Sequence, residues 1–149
     1  MTGGRNGYGA KLTNVFSKKF SSEMGDATRG KLFKQQFSWN LSEISTPEVT
    51  EYSRDMLDYT SVSFVPDLKR FGMKTLSDDI VALFSKRVLD IAGTTAPSVR
   101  VFLNGKRLDS AKNFKQLAEQ YLGPELTERC VHERVNDRWE VVVAPSPDS

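Results

Sequence analysis

The chain has only one cysteine, Cys130, and only one histidine, His132, among its 149 residues. A single cysteine excludes an internal disulfide framework, and the two residues together make a metal site of several histidine and cysteine ligands implausible. No apolar run is long enough to cross a bilayer, so no membrane partner is expected. The amino-terminal residues carry glycine and charge where a secretory signal needs an apolar segment, which favours an intracellular protein.

The chain also lacks a strong charge of one sign, although its charges are unevenly distributed. The net charge of +2 is too small to indicate a nucleic-acid-binding protein by itself. Residues 1–40 nevertheless carry seven basic and two acidic side chains, a balance of +5, whereas residues 41–60 carry one basic and five acidic side chains, a balance of −4. Either these are solvated faces of opposite charge, or the basic beginning binds a polyanion such as a nucleoside triphosphate.

The spacing of apolar residues predicts three helices. Residues 10–20 form one apolar stripe, which predicts a helix with the lysine pair 18–19 in its last turn. Ser77 is the predicted N-cap of a second helix that stops at Gly93, and a third helix is predicted over residues 114–123. The second helix is expected to bury the stripe formed by Ile80, Leu83, Phe84, Val88 and Ile91.

Alternation of apolar and polar residues predicts strands between these helices. The acidic segment 41–58 is predicted to be a loop or a ragged edge strand, because Pro47 interrupts it. The element order indicates a mixed α/β or α+β layer protein without internal repeats. The predicted strands cover residues 31–39, 60–66, 99–103, 131–135 and 139–143, with tight turns at Asn104-Gly105 and Asn136-Asp137.

A glycine-rich segment precedes the first predicted helix. Unpaired amides at a helix start, together with the helix dipole, bind phosphate groups. The P-loop pattern fails, because Ala10 intervenes before Lys11 and Leu12 stands where the hydroxyl residue belongs. The dinucleotide pattern G-x-G-x-x-G fails as well, since Leu12 occupies its third glycine position. The residues alone leave two interpretations open: a phosphate-binding loop of another kind, or a flexible linker.

Several motifs in a fixed order carry a resemblance to a known family. The segment 3–12, Gly-Gly-Arg-Asn-Gly-Tyr-Gly-Ala-Lys-Leu, resembles the ATP-binding loop of the eukaryotic type II DNA topoisomerase family, which is part of the GHKL ATPase superfamily. The resemblance continues to residue 143. It is carried further by Phe64-Val-Pro-Asp-Leu68, by the helix from Asp79 to Gly93, by Val101-Phe-Leu-Asn-Gly105 and by His132-Glu-Arg-Val-Asn-Asp-Arg-Trp-Glu-Val141.

The resemblance implies a fold and a site. The implied fold class is α+β: residues 1–110 form the second half of a GHKL (Bergerat) ATPase sandwich, a mixed sheet backed by helices, with the glycine loop at 3–11. Residues 111–149 then begin a transducer domain like ribosomal protein S5. The residues that match the ATP-binding loop of the family are Gly4, Arg5, Asn6, Gly7, Tyr8, Gly9, Ala10 and Lys11.

Other groups of the family have no match in this chain. In the family, a helix with a glutamate that activates water and an asparagine that holds Mg²⁺ precedes the glycine loop, where this chain has only Met1 and Thr2. A lysine that contacts the γ-phosphate would lie beyond Ser149. We therefore expect an internal fragment with no catalytic or metal-ligating residues of its own. It would contact the phosphates of ATP, rely on Mg²⁺ ligands outside the chain, and not turn over ATP.

The resemblance also implies the activity of the parent enzyme. Such an enzyme is a nuclear homodimer and an ATP-hydrolysing isomerase that passes one DNA duplex through a transient double-strand break in another. The alternative, from a different class, is an inactive remnant of the fold that acts as an interaction or dimerisation module. A mismatch-repair or chaperone ATPase of the same superfamily would share the ligand but not the motifs at residues 79–93 and 132–141.

The remaining candidate groups have simpler explanations. His132 and Cys130 lie on one face of a predicted strand with no third partner, which favours an ordinary strand surface over catalysis or metal binding. The glutamates of the acidic segment are expected to be a solvated loop. The basic pairs at 69–70, 86–87 and 106–107 either face solvent or contact DNA.

Overall fold

The structure, a computed structural model, describes residues 6–145 and divides the chain into two compact units on either side of the Thr75–Leu76 bond. Each unit combines helices with antiparallel strands, and the predicted α+β class is confirmed. The predicted domain boundary near Ser110 stays a prediction. Unit 1 contains α1 (Tyr8–Val15), β1 (Ser17–Asp26), β2 (Lys31–Ser38), β3 (Glu43–Ile44), β4 (Glu48–Glu51), β5 (Tyr59–Pro66) and a 3-10 turn (Leu68–Phe71).

Strand β1 lies at the centre of the sheet in unit 1. The strand order is β3-β2-β1-β5, and β4 also pairs with β2. Every strand pair among the described residues is antiparallel, whereas a mixed sheet with parallel pairs as well was expected. Phe20 of β1 stands opposite Phe37 of β2 and Phe64 of β5. Its side chain is 8% exposed and meets the Phe37 ring edge-on at 6.0 Å between centroids. Phe20 is therefore the core residue of this unit.

The predicted helix over residues 10–20 is wrong in its second half. Helix α1 ends at Val15, and Ser17 begins β1, so the lysine pair 18–19 lies on a strand rather than in a last helical turn. The reason is that β1 has neighbours on both sides, β2 and β5, which satisfy its backbone groups along its length. Pairing with strands far along the chain overrides the helical spacing of a few apolar side chains.

A polar cluster links strands β2, β1 and β5. The Lys34 ammonium on β2 lies 2.8 Å from Glu23 Oε2 on β1, and the Tyr59 hydroxyl on β5 donates a hydrogen bond to Glu23 Oε1. The bonds from Lys34 and Tyr59 lower the pKa of Glu23, while the bond to that carboxylate raises the pKa of Tyr59 to about 12. Beside this cluster, Gly25 leaves room for the Tyr59 ring, which a Cβ would approach to 2.5 Å.

Unit 2 is built from helices and two hairpins. The Asn104-Gly105 turn has φ of 50° and 77°, as the primed two-residue turn requires. The last two strands are joined by Asp137 and Arg138, one residue later than the predicted Asn136-Asp137 turn, because Asn136 still belongs to its strand and pairs with Trp139. The first hairpin is shorter than predicted, since residues 99–101 are not in a strand. The elements are α2 (Asp78–Thr94), β6 (Phe102–Leu103), β7 (Lys106–Arg107), α3 (Phe114–Thr127), β8 (Val131–Asn136) and β9 (Trp139–Val143).

Helix α2 begins as predicted but buries less than predicted. The Ser77 hydroxyl accepts a hydrogen bond from the Ile80 amide at 3.4 Å, which confirms the N-cap. The expected burial of the apolar stripe is wrong, because Leu83, Phe84 and Ile91 are each more than half exposed. The helix is buried only at Ala92 and Gly93, close to its carboxyl end.

Gly93, the predicted stop of α2, lies one residue before the end of the helix, and it also allows α3 to approach the helix. The helix continues to Thr94, and a Cβ at Gly93 would lie 2.5 Å from the Cβ of Leu117, which is 6% exposed. Helix α3 breaks near the predicted place: Gly123 has φ of 74° and ψ of 171° ahead of Pro124. A short helical segment follows that break.

The glycine contact yields a stability prediction. Gly93→Ala is expected to lower the free energy of unfolding of the 149-residue chain by about 1–3 kcal/mol, because the new methyl group overpacks against Leu117. At an ordinary helical position the same change would raise it by roughly 0.5–1 kcal/mol. Urea denaturation followed by circular dichroism measures the difference. In a Leu117→Gly background, which removes the Cβ as well as the rest of the side chain, the penalty should disappear, and an equal penalty in both backgrounds would contradict this packing.

Candidate functional site

The described part of the glycine loop leads directly into α1. Gly7 is the N-cap residue, with φ of 67° and ψ of 12°, a left-handed conformation that glycine adopts without steric cost. Of the predicted site residues, Asn6 to Lys11 are described and exposed. Gly4 and Arg5 lie outside the described residues. Tyr8, Gly9, Ala10 and Lys11 form the first turn of the helix rather than part of an extended loop.

The amides of that first turn are open to a ligand. The first amides of any α-helix have no intrahelical acceptor, and Gly7 offers no side chain to cap them. An added Cβ at Gly7 or at Gly9 would meet nothing within 4 Å, so the space beside these two residues is unfilled by the described part of the chain. Burial of these amides against the chain's own carbonyls would have excluded a ligand, and the exposure of residues 6–11 argues against such burial.

The electrostatics of the site favour an anion. The amino end of the helix dipole carries a partial positive charge, and no acidic residue lies in the first turn to neutralise it. The exposed Lys11 ammonium adds a full charge. Residues 1–22 contain no aspartate or glutamate, so this segment has no carboxylate that would act as a general base or bind Mg²⁺. The segment therefore offers amide donors and one ammonium group, without a carboxylate of its own.

The carboxyl end of α1 is the end that is fixed to the sheet. The Ser17 hydroxyl donates to the Thr13 carbonyl at 2.5 Å, and the Asp67 amide donates to the Phe16 carbonyl at 2.8 Å. The Phe16 ring packs against Phe71 with 5.4 Å between centroids. The helix is therefore attached at its carboxyl end, and its amino end, with residues 6–11 exposed, projects from this attachment.

Sequence reasoning missed one element of this attachment, the turn over residues 39–41. The Asn40 side-chain amide donates to the Val15 carbonyl at 3.0 Å, so a residue after β2 caps the carboxyl end of α1. Trp39, Asn40 and Leu41 all have positive φ. The only local signal was the asparagine itself, because asparagine tolerates the left-handed region better than other non-glycine residues.

The other candidate residues lie in simpler surroundings. His132 Nε2 is 2.7 Å from Glu140 Oε1 across the β8–β9 hairpin, and residues 6–145 hold no group of three metal-ligating side chains. Arg70, Lys86 and Arg107 each pair with an aspartate, so every basic pair has at least one cation engaged. A contact of these pairs with DNA stays a prediction. Over the same residues, no helix has the length and apolarity to cross a membrane.

The relatives found by sequence comparison are DNA topoisomerases. The chain is 48% identical over 151 aligned residues to DNA topoisomerase 2 of Arabidopsis thaliana, and 44% identical over 149 to a probable DNA topoisomerase 2 of Dictyostelium discoideum. The alignments cover 97% and 100% of this chain but 10% of each relative, so the chain spans about a tenth of their length. No family model matches.

Solved structures give the same result. The ATPase region of Saccharomyces cerevisiae topoisomerase II superposes with a TM-score of 0.89 at 46% identity, over 97% of this chain and 37% of that one. The ATPase and transducer domains of DNA topoisomerase II from Balamuthia mandrillaris superpose with a TM-score of 0.88 at 42% identity, over 99% of this chain and 37% of that one.

The two described glycines of the site predict opposite stability effects. Gly7→Ala is expected to lower the free energy of unfolding by about 1–2 kcal/mol, since alanine is strained at φ of 67°. Gly9→Ala is expected to raise it by roughly 0.5–1 kcal/mol, because Gly9 is helical and a methyl group there meets open space. Urea denaturation of the two variants side by side tests this. Effects of the same sign would mean that the loop conformation differs from the one described.

Proposed function

Because the chain is homologous to the ATPase region of eukaryotic type II DNA topoisomerases over nearly its whole length, we propose that it binds the triphosphate of ATP within an enzyme of this family. The amides from Gly7 to Lys11 donate hydrogen bonds to the β- and γ-phosphate oxygens, and the Lys11 ammonium adds charge. The observation that carries the proposal is the exposed, uncapped start of α1, which coincides with the motif that resembles the ATP-binding loop of the family. The matching residues Gly4 and Arg5 belong to the same proposal.

The residues of the proposed phosphate site do not fit a magnesium site. Mg²⁺ prefers carboxylate, phosphate and water oxygens, and the first 22 residues supply no carboxylate. We therefore derive no step through the metal from this chain. What its residues do is bind and orient the phosphate tail by amide donors and one ammonium group.

The activity of the whole enzyme is part of the same proposal. The names of the relatives support an isomerase that changes DNA topology with ATP. A homodimer, double-stranded DNA as partner and a nuclear location follow as proposals from that family. The alternative is an inactive interaction or dimerisation module, and the exposed apolar side chains of α2 favour it. Nucleotide binding at α1 discriminates between the two functions.

Nucleotide binding is tested with a fluorescent, non-hydrolysable ATP analogue and the 149-residue chain. Lys11→Ala is expected to weaken binding by about tenfold, since it removes one charge-assisted contact to phosphate. Lys31→Ala is the matched control, because Lys31 is also an exposed lysine of unit 1 but lies at the start of β2. Equal effects of the two variants, or no binding by the unmodified chain, would contradict the proposed function.

Binding is expected without turnover. Single-turnover measurements with radiolabelled ATP and Mg²⁺ should show no hydrolysis above the uncatalysed rate, because the segment at the phosphate site has no side chain able to take a proton from water. A contaminating ATPase would act equally in preparations of every variant. A measurable rate that Lys11→Ala abolishes would show that this chain carries catalytic groups after all.

A further inference from the structure

We infer that Asn40 is a positioning residue for the phosphate site, which it reaches only through helix α1. The inference rests on the proposed function and adds a residue outside the ATP-binding motif to that site. Asn40 follows strand β2, whereas the amides it would position begin at Gly7. The two are connected by α1, whose carboxyl end Asn40 contacts.

The turn that contains Asn40 has an unusual backbone. Trp39, Asn40 and Leu41 have φ of 52°, 60° and 67°, which places three consecutive non-glycine residues in the left-handed region. Single residues visit this region, but successive ones are rare because each Cβ crowds the following carbonyl oxygen. Such a conformation persists only where surrounding contacts enforce it.

Three hydrogen bonds connect this turn to the junction of α1 and β1. The Trp39 amide donates to the Lys18 carbonyl at 2.9 Å, and the Asn40 amide donates to the Ser17 carbonyl at 2.9 Å. The Asn40 side-chain amide donates to a carbonyl of the helix instead of the strand, that of Val15, at 3.0 Å. Val15 is the last residue of the helix, where carbonyl groups lack intrahelical partners. The side chain of Asn40 thus fixes the helix end itself, while the two backbone bonds fix the strand.

Because α1 is short, the contact of Asn40 with its carboxyl end also affects the position of its amino end. An eight-residue helix is about 12 Å long, so a tilt of roughly 5° at its carboxyl end moves its first amides by about 1 Å. A displacement of that size takes amide donors out of good hydrogen-bond range and is enough to impair a preorganised site. Residues 6–12 are exposed and make no compensating attachment among the described residues.

The side-chain contribution can be isolated by substitution. Asn40→Gly keeps the left-handed turn, which glycine adopts freely, and removes only the donor to Val15. Gln35→Ala is the matched control, because Gln35 also donates a side-chain amide hydrogen to a carbonyl, that of Ser45 at 3.1 Å. Gln35 lies in the same sheet but makes no contact with α1 through that bond. Both changes delete one amide–carbonyl bond from unit 1.

The experiment titrates the 149-residue chain with the fluorescent, non-hydrolysable ATP analogue and records ¹H–¹⁵N spectra without ligand. Asn40→Gly is expected to weaken binding about tenfold and to shift the amide signals of Tyr8, Gly9 and Ala10. Gln35→Ala is expected to change affinity less than twofold and to leave those signals in place. Thermal midpoints of both variants should fall by similar amounts, which separates positioning from general destabilisation.

The possible outcomes separate this inference from the proposed function. If Asn40→Gly binds as tightly as the unmodified chain while Lys11→Ala is weakened, the inference is wrong and the proposed function stands. If Gln35→Ala weakens binding as much as Asn40→Gly, the effect is one of stability and the inference is again wrong. If the unmodified chain binds no nucleotide, both fall. Should Asn40→Gly fail to fold, Asn40→Asp, which keeps the shape but loses the donor, must show the same tenfold loss.

Discussion

The junction between α1 and β1 is the constraint on which unit 1 depends. There, Ser17 is 2% exposed, its hydroxyl bonds the Thr13 carbonyl of the helix, and its own carbonyl accepts from the Asn40 amide. Ser17 therefore bonds the last turn of α1, begins the central strand β1 and accepts a hydrogen bond from the turn that follows β2. Because β1 carries the strands on both sides, the direction of α1 relative to the sheet is decided at this point. The exposed end of the helix takes its position from there.

For the proposed phosphate site at the start of α1, this arrangement explains how the site would be open to a ligand and still ordered. The amides at the start of α1 need no acceptor from the sheet, because the helix is held from its other end. A protein acceptor bonded to these amides would stabilise the helix but occupy the position of a phosphate oxygen. A glycine at the N-cap provides the left-handed start without a competing side chain. In the proposed site, preorganisation would thus come from contacts remote from the ligand.

The features that sequence predicted correctly are those decided locally. The cap at Ser77 and the turn at Asn104-Gly105 need particular residues at particular backbone angles, and those residues are visible in the sequence. Strand β1 was missed because the local spacing is helical and only β2 and β5, far along the chain, make it a strand. The glycine loop was predicted by its resemblance to a family motif, whereas its anchor at Asn40 depends on a tertiary contact that no local pattern encodes.

The wrong prediction for α2 has a related cause. Helical periodicity predicts that an apolar stripe is buried, but not how much of it the same segment covers. In unit 2, α3 meets α2 where Gly93 lets Leu117 approach, and the Tyr121 hydroxyl donates a hydrogen bond to Asp90 at 3.1 Å. The Tyr121 ring also lies 5.5 Å from the Lys86 ammonium. The stripe before that point stays largely exposed. An exposed apolar helix face of this kind is typical of a surface that packs against further polypeptide. For this reason the function proposed for this chain rests on the start of α1 and not on the apolar stripe of α2.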